Sequence, residues 1–193
     1  MRLYPLFSAC GLNCGLCPNF HLHATGKFRC PGCGGEGFAE ARPSCGILSC
    51  CQRKAIEFCY ECDNFPCEKY DNWDDCDSFI THRNIVPDME KSKRIGIDAY
   101  VVEQNEKVII LAELLKGYND GRRKTFFCLA VNLLELQEIR NVMTKIECDV
   151  KNELPIKEKA VAAVRFFEEV AEQRGVLLKK RKKQLKKLKE DTQ

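Results

Sequence analysis

Cysteine is the residue type in this chain that is best placed to do chemistry. Twelve of the fourteen cysteines lie within the first 76 residues. In chain order these are Cys10, Cys14, Cys17, Cys30, Cys33, Cys45, Cys50, Cys51, Cys59, Cys62, Cys67 and Cys76. Three pairs have the spacing Cys-x2-Cys, which puts two thiolates on one metal ion, and tetrahedral zinc takes four such ligands from separated turns. The pattern therefore predicts a metal-binding region with two zinc sites and leaves enough cysteines for a third.

Iron is the alternative metal, because an iron–sulfur cluster also takes four thiolates and spacing alone separates iron from zinc poorly. An iron–sulfur protein of electron transfer or redox enzymology thus stays open. Cys10, Cys14 and Cys17 also have the spacing of the radical S-adenosylmethionine motif, but that enzyme needs alternating strands and helices after the motif. Residues 18–76 hold cysteines and turns instead. The sequence disfavours this enzyme, and it disfavours a thioredoxin-like dithiol for the same reason.

Other chemistry-bearing residues are few. His21 and His23 follow the first cysteines, and a local hydrogen-bonding role is favoured for them over metal binding. The order of residues contains no Ser/His/Asp grouping, phosphate-binding glycine loop or Glu-x2-His pattern. We therefore identify no catalytic residue and expect a binding or scaffold protein rather than an enzyme.

The compartment follows from the cysteines and from the start of the chain. Disulfides need an oxidising compartment, and residues 1–9 are too short for a signal peptide. No apolar run approaches the roughly 20 residues that span a membrane. We therefore expect a cytoplasmic protein with reduced cysteines and no membrane partner.

The elements that must position these cysteines differ between the two halves. Up to Cys76 the aliphatic residues are too few for an independent core, so we expect an irregular, metal-stabilised module of short helices and zinc-knuckle-like turns such as residues 30–33. A short helix at residues 52–57 would hold two ligand groups apart. Later residues have helical apolar spacing. The expected helices cover residues 88–95, 99–116 and 124–146, and a last one begins at Pro155 and ends before Gly175. Cys128 is expected to be buried rather than to bind metal.

The predicted fold is mainly α, with a cysteine-rich module at residues 1–80 packed on a helical bundle at residues 81–178. A basic tail follows at residues 179–193. Residues 174–193 carry nine Lys or Arg against two Asp or Glu, so the tail is a candidate contact for nucleic acid or an acidic partner through counterion release. A solvated, frayed C-terminal helix is the simpler interpretation.

The ordered cysteine groups resemble the cysteine-rich family catalogued as domain of unknown function 3795. The motifs that carry the resemblance are Cys10-Gly-Leu-Asn-Cys14-Gly-Leu-Cys17, Cys30-Pro-Gly-Cys33-Gly, Cys45-Gly-Ile-x2-Cys50 and Phe58-Cys59-Tyr-Glu-Cys62-x2-Phe-Pro-Cys67-Glu. The resemblance implies a metal-binding domain, expected to hold zinc, with no established activity. Its family-type positions are Cys10, Cys14, Cys17, Cys30, Cys33, Cys45, Cys50, Cys59, Cys62 and Cys67.

Cys51 and Cys76 are additional to that family pattern. The ten family-type cysteines do not divide into fours. They imply either two four-cysteine sites with two spare thiols or a site completed by another ligand.

Overall fold

The computed structural model describes residues 3–21, 30–33, 35, 37–38, 45–73 and 75–182. Six α-helices lie within these ranges: α1 (Gly46–Arg53), α2 (Ile85–Ile95), α3 (Ile97–Gly117), α4 (Lys124–Leu133), α5 (Leu136–Asp149) and α6 (Ile156–Gln173). Three short 3-10 helices add Cys14–Leu16, Cys59–Glu61 and Glu68–Tyr70. The described ranges contain no strand beyond an isolated bridge between Phe7 and Asn13. The prediction of a mainly helical fold is confirmed.

The core of the second half lies between α3, α4, α5 and α6. Neighbouring helices pack as the pairs α3 with α4 and α5 with α6, and α4 also contacts α6. Leu111, Phe127, Ile139 and Phe167 have no exposed surface there. Cys128 is also buried in this core, as expected from its apolar surroundings. The predicted helical bundle therefore has a continuous apolar interior of its own.

The single helix expected over residues 124–146 is wrong, because the chain breaks between α4 and α5. Leu134 is extended, and Glu135 opens α5 with a capping box in which its N–H donates to Glu138 Oε2 at 3.0 Å. The Leu134 carbonyl accepts a hydrogen bond from the buried Lys107 Nζ at 2.8 Å. The apolar spacing continues across the break because both helices face the same core.

The predicted ends of the other long helices agree better with the structure. Gly96, at φ 87°, separates α2 from α3, and α2 begins at Ile85, three residues before the expected start. Pro155 precedes α6, and beyond its end the Val176 N–H donates to the Ala171 carbonyl at 2.8 Å. The helix expected at residues 52–57 is misplaced, since α1 ends at Arg53.

The cysteine region has a small core of its own, built mainly from aromatic rings. The Phe7 ring lies 5.3 Å from that of Phe58 and 4.8 Å from that of Tyr100 on α3. Met89 of α2 is buried in the same cluster, together with Tyr70. Helices α2 and α3 thus complete the core of the cysteine region, which the sequence alone indicates only weakly.

The start of the basic tail is attached to the segment that precedes α2. Arg181 N–H donates to Asp77 Oδ2 at 2.8 Å, and its guanidinium reaches Asp77 Oδ1 at 3.2 Å. Arg83 donates to the carbonyls of Leu177 and Lys179. Residues 179–182 are therefore not the expected frayed helix. Residues 183–193 lie outside the described ranges, and the nucleic-acid or acidic partner stays a prediction. Among the described helices, none is long and apolar enough to cross a membrane.

Candidate metal centres

The ten family-type cysteines lie around two separate cavities. The first cysteine group lines a cavity of about 330 Å³ and consists of Cys10, Cys14, Cys17, Cys30, Cys33 and Cys45. The second cysteine group lines a cavity of about 400 Å³ and consists of Cys50, Cys59, Cys62 and Cys67. Helix α1 lies between them, because Cys45 immediately precedes it and Cys50 lies within it. The helix thus separates two cysteine groups, although it begins six residues before the helix predicted at residues 52–57.

Glycine 11 lets the first cysteine loop pass close to α2. Its φ is 94°, in the left-handed region, and a Cβ built there would lie 2.6 Å from the Ile85 carbonyl oxygen. Any other residue would therefore be strained and would clash with the start of α2. Beside it, Ser8 Oγ lies 3.0 Å from Cys10 Sγ and accepts a hydrogen bond from Leu12 N–H at 2.8 Å. The loop backbone thus fixes where the Cys10 thiol lies.

The turn between Cys30 and Cys33 also depends on a glycine. Gly32 has φ 80°, and a Cβ there would lie 3.0 Å from the Pro5 carbonyl oxygen and 3.6 Å from Cys14 Cβ. This turn therefore lies directly against the first cysteine loop. Its glycine has the conformational role expected of a zinc-knuckle turn.

A buried polar network fastens the first loop to the helical half. Asn13 Nδ2 donates to Asp88 Oδ2 at 2.7 Å and to the Tyr100 hydroxyl at 3.2 Å. Burial raises the pKa of Asp88 to about 7, although the charge of Lys107 and the hydrogen bonds from Tyr100 and Asn13 favour the ionised form. Asn13 immediately precedes Cys14, so the network fixes the backbone at a candidate ligand.

The described lining of the first group's cavity is uncharged. Apart from cysteines, aromatic and aliphatic side chains predominate among its lining residues, including Phe20, Trp73, Phe79 and Ile80, and no described residue that lines it is charged. Burial raises the pKa of Cys10 to about 12 and also raises the pKa of Cys14. Such thiols stay protonated near neutral pH unless a cation displaces the proton.

The cavity of the second group is more polar. Lys54 Nζ lies 2.9 Å from Cys62 Sγ as its hydrogen-bond donor, and this contact lowers the pKa of the Cys62 thiol. Glu68 and Lys69 also line the cavity. Cys51 lies at this cavity as well and is hydrogen-bonded to the Cys59 thiol. The two groups therefore offer similar donors in different electrostatic surroundings.

Tyr70 connects the two groups. Its hydroxyl donates to the Cys10 carbonyl at 3.3 Å and is hydrogen-bonded to the Cys59 thiol. No sequence pattern pointed to Tyr70, Lys54 or Asp88, because their partners are distant in the chain or lack a characteristic spacing. Asn13 at least lies inside a cysteine motif.

The part of the chain that holds both cysteine groups matches a family model. Residues 6–72 match the model of a family described as a protein of unknown function, DUF3795. This segment is similar to the DUF3795 family, and we call residues 6–72 the DUF3795 domain. The match includes both cysteine groups and confirms the resemblance inferred from the motifs. No curated protein and no solved structure matches the chain.

Within the DUF3795 domain the thiols share cavities without forming a complete coordination sphere. Among the residues that the structure describes, no three Cys, His, Asp or Glu side chains converge closely enough to hold a metal ion. The donor type nevertheless fits zinc or iron, since each cavity has at least four thiols. No disulfide bond joins any of the fourteen cysteines, all of which lie in the described ranges.

Three further residues that could have completed a metal site are His21, His23 and Cys76. His21 Nε2 is hydrogen-bonded to the Gly15 carbonyl at 2.7 Å, which confirms the local role expected for it. His23 lies outside the described ranges. Cys76 does not line either cavity of the DUF3795 domain.

Proposed function

We propose that the DUF3795 domain is a metal-binding module in which zinc, held by cysteine thiolates, stabilises the fold of a binding or scaffold protein. One observation carries this proposal. The ten family-type cysteines lie at two cavities, and each cavity has enough thiols for a four-coordinate site. A reduced, cytoplasmic location suits such a protein because its thiols must be available for metal.

The second group is the simpler of the two sites. Cys50 comes from α1, Cys59 begins a 3-10 helix that Cys62 follows, and Cys67 precedes the next 3-10 helix. Four thiolates would saturate one tetrahedral zinc ion and leave no position for a substrate. The complex would carry two net negative charges, and Lys54 lies beside Cys62 to offset part of them. Structural zinc contributes about 10–16 kcal/mol near neutral pH, enough to stabilise a region with a small core.

An iron–sulfur cluster is the second candidate, and the first cavity is the observation that favours it. Its aromatic and aliphatic walls would exclude solvent from a cluster, and such a shell controls the redox potential. The same walls suit zinc thiolates, so metal analysis has to separate the two candidates.

The test is metal and sulfide analysis of the full chain after anaerobic purification. We expect a colourless protein with at least two zinc ions per chain. The substitution Cys59→Ser is expected to remove one zinc ion, because it deletes a ligand of the second group. Cys148→Ser is the matched control, since Cys148 is exposed on α5 and should leave the zinc content unchanged. Brown protein with iron and acid-labile sulfide would establish the alternative, and metal-free protein would contradict both.

A further inference from the structure

The two cysteine groups are unequal, and the first has two more thiols than one tetrahedral ion can take. Its six thiols line one cavity, and several of them lie close enough to act on each other's charge. Cys10 has Cys33 and Cys45 as electrostatic neighbours, and Cys14 has Cys10, Cys17 and Cys33. Cys30 lines the same cavity. The structure therefore provides no boundary that would set two of the six aside as spare thiols.

Charge decides how many ions such a set can hold. Six thiolates with one divalent zinc ion would leave four negative charges in a cavity whose described lining contains no Lys or Arg. Uncompensated charge in such surroundings is costly. A second zinc ion reduces the net charge to two negative charges, the same as for four thiolates around one ion.

Coordination numbers lead to the same count. Two tetrahedral zinc ions have eight coordination positions. Six sulfurs fill all eight when two of them bridge both ions and the other four bind one ion each. A binuclear cluster with six cysteines is a known arrangement in zinc modules.

We propose that the first cysteine group binds two zinc ions in a binuclear cluster with two bridging and four terminal thiolates, whereas the second group binds one. This inference rests on the proposed function. Six thiols lose six protons when the two ions bind, and no atom is oxidised or reduced. Because no three thiols converge on one point among the described residues, the ions draw them together as they bind.

The first measurement is the zinc content of the full chain by native mass spectrometry. We expect three zinc ions per chain. A count of two would overturn the binuclear cluster and leave the proposed function intact. Absence of zinc would overturn the proposed function itself, so the two failures are distinguishable.

The second measurement detects the bridging thiolates directly. After replacement of zinc by ¹¹³Cd, the NMR spectrum should contain three cadmium signals, and two of them should be split by coupling through the shared sulfurs. Three uncoupled signals would contradict the bridges. This readout needs no substitution, so it does not depend on whether a variant folds.

Substitutions then assign the signals to the two groups. Cys59→Ser should remove the uncoupled signal and leave the coupled pair, whereas Cys30→Ser should abolish the coupling and leave the single signal. Cys148→Ser should leave all three signals unchanged. Loss of the coupled pair in Cys59→Ser would show that the two groups are not separate sites and would overturn the assignment.

Discussion

The cysteine region, residues 3–73, and the helical region, residues 85–173, acquire their stability in different ways. The helical region buries apolar side chains from four packed helices, and the exposed positions of these helices carry ion pairs such as that of Arg140 with Glu106. The described part of the cysteine region has one eight-residue helix and three short 3-10 turns, and thiols make up part of its small core. If the proposed function is right, the helical region should be stable without metal, whereas the cysteine region should depend on its ligands.

The two regions also share residues at their boundary. Ile85, Met89 and Tyr100 of α2 and α3 complete the core of the cysteine region, and Leu16 of the cysteine region is buried in the helical core. Loss of metal should therefore unfold the cysteine region first. It should destabilise α2 and α3 to a smaller extent, because they share residues with the core of that region.

Metal removal should separate the two regions most strongly. Treatment with a strong chelator should unfold residues 45–73, because each structural zinc contributes about 10–16 kcal/mol to folding. Helices α4, α5 and α6 should keep their structure because none of the family-type cysteines belongs to their core. The cysteine region contributes only Leu16 to the described part of that core. Hydrogen exchange measured by mass spectrometry checks this prediction on the full chain. Equal loss of protection in residues 45–73 and 160–171 would show that the regions do not differ in their dependence on metal.

Backbone strain should have the next largest effect on the free energy of unfolding. Substitution of one glycine in each region allows a direct comparison. Gly11→Ala would force alanine into the left-handed region and place its Cβ 2.6 Å from the Ile85 carbonyl oxygen, which should reduce the free energy of unfolding by about 3 kcal/mol. Gly117→Ala, at the end of α3, meets open space and should change it by about 1 kcal/mol or less. Urea unfolding with saturating zinc measures both values. Similar losses for the two variants would contradict the close approach of the cysteine loop to α2.

The sequence predicts the helical region well where a local signal marks a helix end. Gly96, Pro155 and Gly175 are such signals, and the structure places helix ends next to each of them. The break at Leu134 was missed because leucines continue at helical spacing through it. The structure shows a capping box between Glu135 and Glu138 at this break, a local feature that the apolar spacing does not indicate.

The candidate sites are predicted only in part, because the sequence shows local spacing but not contacts between distant residues. Spacing identifies the cysteines, since a ligand pair is a local feature. Their division into six and four depends on α1, which directs Cys45 and Cys50 to different cavities. The supporting contacts join residues far apart in the chain, such as Asn13 with Asp88 and Tyr70 with Cys10. Contacts of this kind arise from tertiary packing and leave no periodic pattern.

The smallest of these effects concerns Asp88, which joins the two regions. Its pKa is about 7 in the folded protein against an ordinary value of 3.8, so the folded state keeps a proton that the unfolded state loses between these values. The contribution of Asp88 to the free energy of unfolding is therefore fully present below pH 3.8, and it decreases as the pH rises toward 7. Lys107, Tyr100 and Lys91 are the other ionisable groups that act on it.

Asp88→Asn keeps a neutral side chain and removes this titration. The free energy of unfolding of the unmodified protein minus that of the variant should therefore fall by about 2 kcal/mol between pH 5.5 and 7.0. Subtraction cancels the protonation of the thiols, which is common to both proteins. Glu106→Gln is the matched control on α3, because the pKa of Glu106 is lowered by its hydrogen bond to Arg140 and its contribution is constant above pH 5.5. If the free energy of unfolding of the unmodified protein minus that of Asp88→Asn stays constant or rises with pH, the Asp88 carboxylate is ionised in the folded protein. The boundary between the regions would then tolerate a buried charge.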